Sequence, residues 1–190
     1  MKNKLREKFN SLREGISPDY AMSAASEIAS RVLSHPAVRG ADSVMVYVSK
    51  GSEVGTSPII RGLLESGRQV FVPVMRGERI AAAKLDSESS LAPGAYGIGE
   101  VPEHIREYAL PAEIDTVIVP GVCFSSEGKR LGRGGGHFDR FLAKTPAYKI
   151  GICYSIQIES RVPQRRHDIR MDEVITEESV LYSLNGRRIQ

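Results

Sequence analysis

The sequence predicts an α/β fold in which strands and helices alternate within a single domain, residues 1–190. Three observations predict this fold. Short, almost continuous apolar runs recur along the chain and are typical of buried parallel strands. Segments with helical spacing of apolar residues lie between these runs. Neither a repeat nor a low-complexity linker divides the 190 residues, a length that suits one domain.

Two helices are predicted before the first strand, as an N-terminal helical hairpin. The first helix ends near Gly15, and its apolar stripe has a spacing of four, three and four residues: Leu5, Phe9, Leu12 and Ile16. A second helix follows at once, because Ser17 can cap free amides and Pro18 suits the first helical position. Its apolar pattern continues to His35-Pro36.

From residue 43 onwards the pattern is that of a βαβ unit. An apolar run at residues 43–48 predicts a strand, Ser57-Pro58 opens a helix that ends near Gly67, and residues 69–74 form the next strand. Further strands are predicted at 79–85, 115–119, 149–154 and 174–176, with an extended loop at 93–99 and a helix at 137–144.

Composition and charge indicate an ordinary globular protein, with 41% hydrophobic residues and 26 Lys+Arg against 23 Asp+Glu. The basic residues are scattered, so we expect no nucleic-acid partner. A charged N-terminus and the lack of an apolar run of about 20 residues predict a cytoplasmic protein without membrane contact. Cys123 and Cys153 lack zinc-ligand spacing and are predicted to be buried thiols.

The most informative segment is rich in glycine and runs from Val119 to Leu142. Gly132 and Gly134–Gly136 allow a backbone turn whose amides point at one anion, and Arg130 and Arg133 add charge. The segment therefore suits phosphate, although a flexible turn with solvated arginines is the alternative. It has neither the Gly-Lys-Ser/Thr ending of a P-loop nor the strand spacing of a dinucleotide fingerprint.

The order of residues in this segment resembles the signature of a known family. The pattern is Pro-Gly-x-x-Phe, then Gly-x-Arg-Leu-Gly-x-Gly-x-Gly-x-Tyr/Phe-Asp-x-Phe/Tyr-Leu, as in the 5-formyltetrahydrofolate cyclo-ligases, also called methenyltetrahydrofolate synthetases. Further similar blocks, which extend the resemblance over nearly the whole chain, are Lys2-x-x-Leu5-Arg6, Ser52–Thr56, Tyr96–Glu100, His167-Asp168 and Asp172–Glu177. The resemblance implies a Rossmann-like domain with a mainly parallel sheet flanked by helices.

An ATP site is implied by this resemblance. Lys2 and Arg6 would approach ATP, although two solvated charges on a helix are the alternative. The phosphates would be held by Arg130, Leu131, Gly132, Arg133, Gly134, Gly135 and Gly136, with His137 and Phe138 beside them.

Magnesium and folate sites are implied in the same way. Asp139 and Asp168 correspond to the Mg²⁺ carboxylates, although they also suit a helix N-terminus and a solvated loop. Glu53 follows an apolar strand, where α/β sheets usually bind ligands, and would bind the reduced folate with Val48 nearby. A solvated loop glutamate is the alternative for Glu53.

Three positions depart from the family pattern. His137-Phe138 stands where many members have an aromatic pair, Ser125 where an aspartate is frequent, and Val101 where a proline is usual. These departures concern the substrate more than the ATP site.

The activity implied is conversion of 5-formyltetrahydrofolate to 5,10-methenyltetrahydrofolate, with ADP and phosphate released. The formyl oxygen would attack the γ-phosphate, and Arg130 and Arg133 would neutralise charge, so that no protein nucleophile is required. We expect a monomer whose partner is a small reduced folate. Two alternatives are a ligase-like paralogue for another formylated heterocycle and a non-catalytic nucleotide-binding module.

Overall fold

The computed structural model describes residues 1–94 and 97–182, and within them the second and third helices begin at side-chain N-caps. Ser17 precedes the second helix, and its Oγ accepts a hydrogen bond from the Tyr20 amide at 3.3 Å. The helices are α1 (Lys2–Glu14), α2 (Pro18–Ser34), α3 (Pro36–Arg39), α4 (Ser57–Glu65) and α5 (His137–Leu142).

The longer strands of the described part follow the apolar runs of the sequence, and five further strands have two residues each. They are β1 (Ser43–Val46), β2 (Gln69–Arg76), β3 (Arg79–Lys84), β4 (Ala92–Pro93), β5 (Gly99–Glu100), β6 (Tyr108–Ala109), β7 (Thr116–Val119), β8 (Cys123–Phe124), β9 (Arg130–Leu131), β10 (Tyr148–Ile152), β11 (Glu173–Ile175) and β12 (Val180–Tyr182).

Eight of these strands form the central sheet, in the order β12-β11-β10-β7-β1-β2-β3-β6. The five strands from β11 to β2 pair in parallel; Val44 of β1, for example, lies opposite Val70 of β2 and Thr116 of β7. The outer strands β12, β3 and β6 pair antiparallel. The predicted α/β fold with a mainly parallel sheet is therefore confirmed.

Alternation along the strands divides the apolar side chains between the two faces of the sheet. Val44 and Val46 pack in a cluster with apolar residues of α2 and α4, whereas Met45 packs in a second cluster with Phe141 and Leu142 of α5. Helices thus cover both faces, as parallel strands require.

The two predicted N-terminal helices are present in the predicted order, and the first packs in a different apolar cluster from the second. Phe9 of α1 packs with Leu131 and Val122, away from the cluster that buries α2. Leu12, which was assigned to the apolar stripe, is 44% exposed. The stripe is narrower than predicted because α1 packs on a small apolar cluster, which contains Phe9, Val122, Cys123, Leu131 and Val162.

Residues 119–137 contain more regular secondary structure than the glycine-rich turn predicted from the sequence. Strands β8 and β9, of two residues each, pair there as a small hairpin. Strand β4 pairs with β5 in the predicted extended loop. Helix α5 ends at Leu142, two residues before the predicted end. Tyr96 of the Tyr96–Glu100 block lies outside the described residues. None of the helices in the described part is long and apolar enough to cross a membrane.

Candidate active site

A cavity of about 710 Å³ opens at the carboxyl ends of the parallel strands. Tyr47 directly follows β1, Pro120 directly follows β7, and both line it. Open α/β sheets commonly bind ligands at this edge, because the loops after neighbouring parallel strands meet there. The strand order therefore determines which distant loops share the cavity.

Every residue that the sequence nominated for ATP, metal or folate lines this one cavity. They come from the N-terminus, the loop after β1, the segment from β9 into α5, and the loop before β11. The residues are Lys2, Arg6, Val48, Glu53, Arg130, Leu131, Gly132, Arg133, Gly134, Gly135, Gly136, His137, Phe138, Asp139 and Asp168. Their individual roles remain predictions.

The turn between β9 and α5 uses two glycines in conformations that other residues rarely adopt. Gly134 has φ 118° and Gly136 has φ 65°. Arg6 Nε donates to the Gly132 carbonyl at 2.9 Å, and Arg140 Nη1 donates to the Gly135 carbonyl at 2.9 Å. These carbonyls are thus already paired, while the first amides of α5 have no acceptor within the helix. Such a turn suits an anion.

Arg130 is a fixed, buried part of this wall, with 7% of its surface exposed. Its Nη2 donates to Asp139 Oδ2 at 2.8 Å, and its Nη1 donates to the Pro120 carbonyl at 3.2 Å. Its buried Nε has no hydrogen-bond acceptor in the described part of the chain. A Cβ on Gly132 would lie 2.9 Å from Nη1, so glycine permits this close approach. An unpaired buried N–H favours a ligand oxygen nearby.

Arg133 and Glu53 connect the predicted phosphate and folate residues. Arg133 Nη2 lies 2.7 Å from Glu53 Oε1, and the Lys50 amide donates to Glu53 Oε2 at 3.0 Å. The Glu53 side chain is 10% exposed and that of Arg133 is 55% exposed. The glutamate is therefore held in place by its own loop, whereas the arginine is the more exposed partner.

The two predicted metal ligands lie close along the same wall. Asp139 Oδ1 accepts from the amide of Ile169, the residue after Asp168, at 3.1 Å. Lys2 Nζ lies 2.6 Å from Asp168 Oδ2, and the Arg165 amide also donates to that oxygen. Burial alone would raise the pKa of Asp168, but these two donors outweigh it and hold the pKa below its usual range.

This donor set fits Mg²⁺. Carboxylate oxygens are the ligands that Mg²⁺ prefers, and one or two of them together with substrate phosphates commonly suffice. Asp139 and Asp168 each have a cationic partner beside them. Among the described residues no group of three or more acidic, histidine or cysteine side chains comes together. The chain thus offers two carboxylates beside the turn Gly132–Gly136, which is the predicted phosphate turn.

His137 is one of the departures from the family pattern, and the structure shows where its ring lies. A Cβ on Gly135 would lie 2.6 Å from its Cδ2, so the imidazole occupies the space above that glycine. Arg140 Nη2 lies 2.9 Å from His137 Nδ1. The ring therefore packs on the phosphate turn itself.

The departure at Ser125 concerns the hairpin and not the cavity. Ser125 is buried, and its Oγ accepts from the Glu127 and Lys129 amides, both at 3.2 Å. Val101 is also buried. Neither residue lines the cavity, so the two changes leave its wall intact.

The two cysteines are buried, as predicted. Burial raises the pKa of Cys123 to about 12 and that of Cys153 well above its usual value, so both remain thiols. Neither lines the cavity. Cysteine chemistry is therefore no part of this site.

The sequence did not nominate about half of the cavity wall. Some omitted residues lie within the blocks quoted for the resemblance but were given no role there: Glu100 ends the Tyr96–Glu100 block, and His167 precedes Asp168. Others are apolar and gave no local signal, because their position depends on strand order. The omitted residues are Asn3, Tyr47, Lys50, Pro73, Val74, Met75, Ile80, Ile98, Glu100, Pro120, Gly121, Arg165 and His167.

Comparison with known proteins leads to the same family as the sequence signature. The model of the 5-formyltetrahydrofolate cyclo-ligase family matches residues 1–177. The chain is 28% identical over 174 residues to the 5-formyltetrahydrofolate cyclo-ligase of Escherichia coli (strain K12), which covers 88% of this chain and 96% of that protein. It is 25% identical over 191 residues to that of Mus musculus, covering 94% of each.

A solved structure is similar over the whole length. The NMR structure of Aquifex aeolicus 5,10-methenyltetrahydrofolate synthetase matches with a TM-score of 0.87 and 31% identity, and it covers 100% of this chain and 96% of that one. Sequence signature, fold and relatives thus agree. The chain belongs to the 5-formyltetrahydrofolate cyclo-ligase family.

Proposed function

We propose that this chain converts 5-formyltetrahydrofolate to 5,10-methenyltetrahydrofolate with ATP and Mg²⁺, releasing ADP and phosphate. The observation that carries the proposal is the convergence of the signature residues from four distant segments on one cavity. The match of residues 1–177 to the family model supports the same conclusion. The names of the relatives agree with this substrate and product.

The chemical problem is the poor electrophilicity of a formamide, whose nitrogen lone pair is delocalised into the carbonyl. Bound MgATP supplies a phosphoryl group that turns the formyl oxygen into a leaving group, after which the second folate nitrogen can close the ring. The protein is required mainly to position the two ligands and to neutralise charge.

The residues of the phosphate turn can provide that neutralisation. Buried Arg130 has one N–H without a protein partner in the described chain, and Arg133 is free to reorient because over half of its side chain is exposed. Together with the amides at the start of α5 they would hold phosphate oxygens. Asp139 and Asp168 would hold Mg²⁺ through carboxylate oxygens next to those phosphates.

The part of the wall that includes Glu53 suits a flat heterocycle. Glu53 presents a carboxylate, and apolar side chains of the same cavity exclude water from the reacting groups. These apolar residues are Val48, Pro73, Val74, Ile80, Ile98 and Phe138. The reduced folate would therefore lie against Glu53 and these apolar side chains.

The decisive experiment mixes the protein with 5-formyltetrahydrofolate and MgATP and follows the near-ultraviolet absorbance of the methenyl product. We expect an increase that requires the folate, ATP and Mg²⁺ together. If MgATP binds but the absorbance stays constant, the substrate is another formylated heterocycle, or the protein binds nucleotide without turnover. ADP release with other formylated compounds separates those two cases.

Asp139→Asn tests the predicted metal site within this reaction. The amide keeps the size of the side chain but removes the charge that would bind Mg²⁺ and that now pairs with Arg130. We expect kcat to fall by about 100-fold or more, because phosphoryl transfer depends on charge neutralisation. Unchanged ATP turnover in this variant would exclude Asp139 as a metal ligand.

A further inference from the structure

A buried carboxylate on a different part of the cavity wall has no assigned role. Glu100 lies on β5 and lines the cavity, and only 9% of its surface is exposed. An ionised carboxylate in such a place costs free energy unless it is paired. Its environment therefore indicates what the carboxylate does.

Glu100 is held rigidly from the side. Arg106 Nη2 donates to Glu100 Oε2 at 2.9 Å, and Arg106 Nε donates to the carbonyl of Val101 at 2.7 Å. A Cβ on Gly94 would lie 2.5 Å from Glu100 Cγ, so the side chain packs flat against that glycine. Arg106 does not line the cavity, so it can keep its pairing when a ligand enters.

The second carboxylate oxygen is left for a ligand. Across residues 1–94 and 97–182 no side chain or amide donates to Glu100 Oε1, and that oxygen is not sealed from the cavity. A carboxylate that is fixed through one oxygen and offers the other is suited to accept an N–H group.

The position of Glu100 favours the folate over ATP. The neighbouring residue Gly99 packs against Val48, because a Cβ on Gly99 would lie 3.5 Å from Val48 Cγ1, and Val48 is a predicted folate contact. The phosphate turn lies on another segment, from β9 into α5. A reduced pterin carries an exocyclic amino group and ring N–H groups, so it offers more donors than Glu53 alone can accept.

We propose that Glu100 is a second folate-recognising carboxylate, which accepts N–H donors of the pterin through Oε1 while Arg106 fixes Oε2. The inference rests on the proposed function, because it takes the reduced folate as the ligand. It adds a specificity determinant to Glu53 and makes Arg106 a positioning residue.

The test compares Glu100→Ala with Glu103→Ala, an exposed glutamate of the same segment that does not line the cavity. Titration calorimetry with 5-formyltetrahydrofolate, and separately with MgATP, gives the two dissociation constants. For Glu100→Ala we expect the folate constant to rise by about tenfold or more, as for a lost hydrogen bond to a charged group. The MgATP constant should change by less than about twofold, and Glu103→Ala should match the wild type.

Glu100→Gln is a second variant that tests the same role of Glu100 if Glu100→Ala does not fold. Its carbonyl can still accept from Arg106, so the amide NH₂ faces the cavity and the acceptor is lost; we expect an increased KM for folate with a kcat within about threefold of wild type. Unchanged folate affinity in Glu100→Gln, or equal loss of folate and MgATP affinity, would refute the role of Glu100. Absence of folate binding by the wild type would instead refute the proposed function itself.

Discussion

Single residues in the cavity are connected by contacts that join distant parts of the sequence. Arg133 and Glu53 are 80 positions apart, and Lys2 and Asp168 are 166 positions apart. From sequence position alone, each of these residues could equally have been a solvated side chain without a role in ligand binding. Only the strand order brings such residues together, so the family resemblance could nominate them while local patterns could not.

Arg133→Ala should separate binding from stability. Because the Arg133 side chain is 55% exposed, its ion pair with Glu53 should contribute less than about 1 kcal/mol to the free energy of unfolding. Binding of MgATP should weaken by about tenfold or more if Arg133 contacts phosphate. Urea unfolding and calorimetry measure the two quantities, with the exposed Arg61→Ala on α4 as the control. A large loss of stability with intact MgATP binding would contradict the assignment.

The ion pair of Lys2 with Asp168 should make the free energy of unfolding depend on pH. The pKa of Asp168 is lowered in the folded state, so its stabilising effect is present above the unfolded pKa of about 3.9 and is lost as the pH falls through the folded pKa. The free energy of unfolding of the wild type should exceed that of Lys2→Met by a constant amount from about pH 5 to pH 7. The difference should shrink below about pH 4.

Urea unfolding of both proteins across this pH range measures that difference. A gap that stays the same down to about pH 3 would mean that Asp168 does not titrate against Lys2.

Among the elements, the turn from β9 into α5 depends most on its glycines. Gly136 has φ 65°, and a Cβ there would lie 3.2 Å from Arg140 Nη1. Gly136→Ala should lower the free energy of unfolding by about 1–2 kcal/mol and also weaken MgATP binding, because the turn must shift.

Gly67→Ala is the matched control for this change. Gly67 has φ 73°, a Cβ there would meet nothing within 4 Å, and it does not line the cavity. A similar loss of stability with normal MgATP affinity is expected. Equal effects of the two substitutions on MgATP affinity would show that the Gly136 turn has no special part in binding.

Elements with strong local signals were predictable, and short ones were not. Ser17-Pro18 indicated the start of α2 through capping, and the apolar runs indicated β1, β2 and β7 through burial. The two-residue strands β8 and β9 are too short for periodicity. The packing of α1 against that hairpin could not be predicted from the sequence for the same reason.

At the scale of the whole molecule, the cavity joins α1, the loop after β1, the phosphate turn and the loop before β11. A ligand that contacts all four segments binds only when they are folded together, and it therefore stabilises the native state. At 100 times its dissociation constant, MgATP should add about 2.7 kcal/mol to the free energy of unfolding and raise Tm. Thermal unfolding with and without MgATP measures this, and Asp139→Asn should show a smaller shift. An equal shift in that variant would remove Asp139 from the site.

Strand β1 lies between β2 and β7, so one of its two edges pairs with a strand that comes much later in the sequence. During synthesis, β1, α4 and β2 can assemble early, while the other edge of β1 stays open until residues 116–119 emerge. The phosphate turn and Asp168 emerge later still. A nascent chain should therefore acquire nucleotide affinity only at the end of folding, after passing through a stage with an exposed sheet edge that chaperones could protect.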